Sequence, residues 1–156
     1  MDRHHAIDRA LRPRTIAPYG LSVLIGTWNT TGTHGQLPDT ILHGHASCEW
    51  IEHGAFMLLR SKVDDPRFPS TVALFGGDDA VEQQFMLTFD SRGVSRMYSV
   101  TLRDNHWRWW RNAPGFLQRY EARIADDGNT IVSYGELSTD GVTWEKDLAL
   151  TYTRAE

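Results

Sequence analysis

From residue 85 onward the chain is a succession of alternating apolar and polar runs, each closed by a turn signal. FMLTFD (85–90) and VSRMYSVTLRD (94–104) flank Ser91-Arg92-Gly93, a short hairpin loop. HWRWWRN (106–112) follows Asp104-Asn105, a pair that tolerates positive φ and suits a primed two-residue turn. Asn112-Ala113-Pro114-Gly115 leads into FLQRYEARIA (116–125), and Asp126-Asp127-Gly128-Asn129 leads into TIVSYGELS (130–138). Thr139-Asp140-Gly141 then opens VTWEKDLALTYTR (142–154). Turns recurring about every twelve residues between β-branched and aromatic runs predict an antiparallel meander.

Side chains alternate across a strand, so the runs also sort their faces. Phe116, Gln118, Tyr120, Ala122 and Ile124 share one face, opposite Leu117, Arg119, Glu121 and Arg123. On the last run Val142, Trp144, Leu148, Leu150, Tyr152 and Arg154 fall together, leaving Thr143, Glu145, Asp147, Thr151 and Thr153 on the other side. One-sided strands need a second layer or closure to bury the apolar face. About eight to ten strands without a blade repeat favour an all-β, single antiparallel up-and-down barrel.

Helix has little room. Tyr19, Leu21, Leu24 and Ile25 give Pro18–Ile25 an apolar side over one or two helical turns, and Asp78–Gln83 offers a further turn. Residues 1–17 are polar and basic, interrupted by Pro13, and read as a flexible N-terminal arm ahead of a barrel domain at 18–156. That arm lacks the apolar stretch of a secretory signal, and no run approaches the length of a membrane helix.

Composition narrows the function classes. With 156 residues, 40% of them hydrophobic, the chain is long enough to bury a core. The net charge of −4 and pI of about 5.9 argue against nucleic acid or an acidic membrane as partner. Cys48 is the single cysteine, which excludes an internal disulfide and fits a cytoplasmic setting.

The meander gives meaning to LIGTWNTTG (24–32), where Gly26-Thr27-Trp28 follows the short apolar segment. This arrangement resembles the lipocalin-like (calycin) barrels. The run from FDSRGVSRMY to STDGVTWEKDLALTYTR strengthens the likeness toward bacterial lipocalin-like domains, over residues 20 to 154. The resemblance implies that Trp28 sits at the closed end beneath the helical segment and that Arg154, from the last strand, packs across its ring. It assigns no ligand, because barrels of this shape host unrelated chemistries. Nitrobindin-like haem barrels share the Gly-Thr-Trp opening, but they hold iron with a His near the C-terminus. The last His here is His106, so no haem or other cofactor is expected.

Two constellations remain as candidate chemistry. In HGHASCEWIEHG (43–54), strand alternation puts His43, His45, Ser47, Glu49, Ile51 and His53 on one face. His-x-His with a Glu four residues on matches half of a cupin metal motif, but the second half is missing and no metal site is assigned. If Ala46, Cys48 and Trp50 pack inward, this row faces water; otherwise His45 is a polar contact for a bound molecule.

The second constellation is aromatic: Tyr98, Trp109, Phe116, Tyr120 and Trp144 form a candidate pocket wall, with core filling as the alternative. Gln118 lies among them, and a buried amide there needs a partner such as Tyr98, Tyr134 or a ligand. Arg96, on the Tyr98 and Val100 face, is either a solvated edge residue or an anion contact at a barrel mouth.

The leading expectation is a barrel that binds a small, largely apolar molecule, with no nucleic acid or membrane partner. The alternatives are a cofactor-independent isomerase or cyclase using His45 and Glu49 as acid and base, and a filled structural barrel that dimerises with its own copy. No catalytic residue is assigned.

Overall fold

The alternating runs form strands that pair with their neighbours along the chain, and the ends of that meander meet. The computed structural model describes residues 20–78, 80, 81 and 83–156. Its strands are β1 (Gly26–His34), β2 (Leu37–Ile51), β3 (Phe56–Val63), β4 (Thr71–Gly77) and β5 (Gln84–Asp90), followed by β6 (Ser95–Arg103), β7 (His106–Ala113), β8 (Phe116–Ile124), β9 (Thr130–Ser138) and β10 (Glu145–Arg154). Each pairs antiparallel with the next, and β10 returns to β1, with Trp28 opposite Arg154 and His34 opposite Leu148. Closure leaves no unpaired sheet edge among these strands. This is the expected all-β lipocalin-like barrel, with ten strands.

The helical segment before Trp28 is a single 3-10 turn at Leu21–Leu24, at the lower end of the one or two turns expected. The expected arm at 1–17, and the start of that segment at 18 and 19, lie outside the described residues. Leu21 and Leu24 are buried and plug one end of the barrel. Trp28 lies under the plug and donates its indole N–H to the Leu24 carbonyl at 2.9 Å. Arg154 lays its guanidinium 4.2 Å from the Trp28 ring centroid and donates to the carbonyls of Val23, Ile25 and Gly128. Gly26 makes this possible: its φ is +126°, and a Cβ there would stand 2.6 Å from the Arg154 Nη1.

Local chemistry explains where the strands end. Asp104 and Asn105 adopt φ of 52° and 60°, the conformation that the primed β6–β7 turn requires. Glu52 and His53 do the same after β2, so the strand stops at Ile51 and His53 leaves the row that alternation drew for it. Ala46 and Cys48 are buried while His43, His45 and Glu49 are exposed, so the His row faces outward.

On β10 the alternation breaks. Lys146 stands opposite Glu136 and Ala149 opposite Tyr134, three steps on β10 against two on β9. This bulge reverses the faces upstream of it. Asp147 is therefore inside and only 8% exposed, and Trp144 is outside, carrying the Arg119 guanidinium 3.7 Å from its ring.

Candidate ligand-binding cavity

The strands pack tightly near the plug and stand open at the other end, where a cavity of about 680 Å³ lies inside the barrel. That volume is within the range of small-molecule sites. Its deeper wall is apolar, with Leu59, Ala73, Met86, Trp107 and Leu150, and its aromatic side runs Trp107, Trp109, Tyr120. Trp109 and Tyr120 stack with centroids 5.1 Å apart and planes 1° apart, and Trp107 follows 4.3 Å from Trp109. Tyr120 reaches this position because Gly135 stands opposite it on β9, where any Cβ would overlap its ring.

Toward the opening, polar side chains form one connected network. Tyr98 Oη donates to Gln118 Oε1 at 2.7 Å. Gln118 Nε2 donates to Tyr120 Oη at 2.9 Å and to Asp147 Oδ2 at 3.2 Å. Tyr120 Oη donates to the same carboxylate oxygen. His34 closes the network from β1: the Gln36 backbone N–H donates to its Nδ1 at 3.1 Å, so its proton is on Nε2, which donates to Asp147 Oδ1 at 2.9 Å. The buried carboxylate thus receives three donors, as a charge in an apolar barrel must. Burial raises the Tyr120 pKa above its ordinary value, and the neighbouring Asp147 raises it further. Burial also raises Tyr98, partly opposed by Arg96. Both phenols therefore keep their protons at neutral pH and act as donors.

Three arginines line the cavity, and two of them are occupied. Arg67 grips Asp65 and Arg92 grips Asp90, each with two side-chain nitrogens, holding both carboxyls down to about 2. Arg96 has no carboxylate partner among the described residues. Its guanidinium lies 4.8 Å from the Phe116 ring centroid and reaches Gln118 Oε1 only at 3.5 Å.

Of the residues expected at a pocket wall, Tyr98, Trp109, Phe116, Gln118 and Tyr120 line this cavity together. His45 and Trp144 do not. His45 is on the outer face of β2, 3.9 Å from Asp64, and the β10 bulge turns Trp144 outward. Gln118 takes Tyr98 as its partner, whereas Tyr134 is 44% exposed. Asp147 was hidden from strict alternation, and His34 carries no local signal that joins it to a residue 113 positions away. A bulge-tolerant reading of EKDLAL, with one apolar face broken by a single acid, was the available clue. Among the described residues no group of three or more His, Cys, Asp or Glu is arranged to hold a metal ion. Burial raises the Cys48 thiol to about 12, against a smaller lowering by Arg154.

No family model matches the chain, and neither does any curated protein. Among solved structures it is similar to the S-type phycobiliprotein lyase CPES from Guillardia theta, with a TM-score of 0.57 and 10% identity, over 92% of this chain and 94% of that one. At that identity the likeness is one of fold, in keeping with the lipocalin-like barrel class. No helix among the described residues is long and apolar enough to cross a membrane.

Proposed function

We propose that this protein binds a small, largely apolar molecule inside the open half of its barrel. The observation that carries the reading is the cavity itself: about 680 Å³ faced by stacked aromatic rings, with polar groups gathered toward one end. Binding sites for small molecules have this composition, and a filled structural barrel would not leave such a space. Tyr98, Trp109, Phe116, Gln118 and Tyr120 are the proposed contacts. The acid–base alternative has less support, because His45 and Glu49 are exposed on the outer face of β2.

Titration with the neutral dye N-phenyl-1-naphthylamine tests the reading. One equivalent should bind with a rise in dye fluorescence, and Val63→Trp, which places an indole in the cavity wall, should abolish it while the far-ultraviolet circular dichroism is unchanged. An unaltered titration in that variant, or no binding by the parent, overturns the reading.

A homodimer is a further proposal, supported by the outer face of β3–β6. Leu58, Leu74, Leu87 and Met97 stand side by side there in register, with Met97 62% exposed. A concentration-dependent sedimentation coefficient that Met97→Lys removes is the expected result.

A further inference from the structure

We propose that the molecule bound in the cavity is an aromatic monocarboxylate, its acid group held by Arg96 and its ring lying along Trp109 and Tyr120; this rests on the binding function proposed above. The inference comes from asking which polar group of the cavity still has hydrogen-bonding capacity to offer.

The Asp147 network has spent its own. The Tyr98 hydroxyl proton goes to Gln118, the Tyr120 hydroxyl proton to Asp147, both Gln118 amide protons to Tyr120 and Asp147, and the His34 Nε2 proton to Asp147. A ligand that took one of these donors would strand a buried carboxylate or amide, at a cost comparable to the bond it gained. The network therefore shapes and stiffens the wall. Arg67 and Arg92 are likewise engaged, each by a carboxylate in the loop or strand end that carries it.

Arg96 differs from both. It lines the same cavity, its guanidinium over the Phe116 ring, with a single long hydrogen bond to an amide oxygen. A guanidinium has five N–H donors in a planar fork that matches a carboxylate with two parallel bonds. Phe116 holds that plane in place by packing and by cation–π attraction, so little side-chain freedom is lost when an anion docks. Arg111, opposite Gln118 in the β7–β8 ladder, also lacks a carboxylate partner among the described residues and adds positive potential beside Tyr98.

The charge count selects the class of anion. Arg67 and Asp65 neutralise each other, as do Arg92 and Asp90, which leaves Arg96 and Arg111 against Asp147; a monoanion matches that balance and a dianion such as a phosphate monoester exceeds it. A single negative charge on a planar group is what the site accommodates. The rings of Trp107, Trp109 and Tyr120 then favour a flat, aromatic body over a flexible one, because stacking on fixed rings orders few rotors.

Calorimetric titrations of the full chain with 2-naphthylacetate, its methyl ester and 2-naphthyl phosphate test this. The acid should bind about tenfold more tightly than the ester, and the phosphate more weakly than the acid. Arg96→Gln should remove the preference for the acid over the ester, and an unchanged far-ultraviolet circular dichroism spectrum shows that the variant folds. Arg96→Lys, which keeps the charge and loses the fork, should restore only part of the preference. Equal affinity for acid and ester in the parent, or a phosphate bound most tightly, overturns the monocarboxylate assignment while the cavity-binding function stands. Failure of all three probes, together with no response to the neutral dye, overturns both.

Discussion

The two ends of this barrel are built from the same ten strands and do opposite things with them. At the plugged end, Leu21, Leu24, Trp28, Phe75 and Ile131 are each no more than 2% exposed, and the chain fills its own interior. At the open end the inward positions of those strands carry His34, Arg96, Phe116, Gln118 and Asp147, which line a space instead of filling it. The first set is held by apolar contact and one cation; the second by hydrogen bonds among side chains from β1, β6, β8 and β10. Stability and recognition are thereby assigned to opposite ends, and substitutions can separate them.

The largest effect is expected at the plug. Trp28→Ala removes a buried ring and the partner of Arg154, and should lower unfolding free energy by about 3–5 kcal/mol in urea melts. Dye affinity per folded molecule should persist. A variant that stays near parental stability but loses the dye would assign Trp28 to recognition and cancel the contrast. Arg154→Gln strips the cation from the same clamp and should cost about 2–3 kcal/mol alone. In the double variant the cost should fall short of the sum, since both changes break one contact.

At the open end the balance should invert. In Gly135→Ala the new methyl overlaps the Tyr120 ring and moves it from the stack with Trp109. Overpacking of this kind costs about 1–3 kcal/mol, less than the plug variants, but dye and naphthylacetate affinity should both fall. Unchanged affinity would mean that the Trp109–Tyr120 stack is not part of the binding wall.

The smallest effect concerns pH. Cys48 lies among the buried residues near the plug, its thiol raised by burial to about 12. A raised pKa on an acid favours the protonated form in the folded state. That contribution is complete below the ordinary thiol pKa near 9 and is lost as pH rises toward about 12. At pH 8 the native protein should react with a thiol-exchange reagent only at the rate of unfolding. Fast reaction would show that this end opens.

Much of the architecture was readable because strands obey a period of two and turns have their own chemistry. Asp104-Asn105 announced a hairpin, and Phe116, Gln118 and Tyr120 announced an inner face, since each depends on neighbours only a few residues away. The His row showed the limit of the same rule. Alternation groups residues on a face without saying which face is inside, and buried Ala46 and Cys48 turn His45 outward. Trp144 and Asp147 show another limit, because one extra residue on β10 exchanges their faces.

The sequence by itself determined the class of fold and most of the aromatic wall, because local periodicity encodes strand, turn and face; the clamp of Trp28 and Arg154 was implied by its resemblance to lipocalin-like barrels. Only the tertiary structure decided that His34 meets Asp147, that Gln118 joins Tyr98 to Tyr120, and that Arg96, unlike Arg67 and Arg92, forms no salt bridge among the described residues. Those facts depend on register across a closed barrel, where residues more than a hundred positions apart become neighbours and a single bulge chooses which of them faces the cavity.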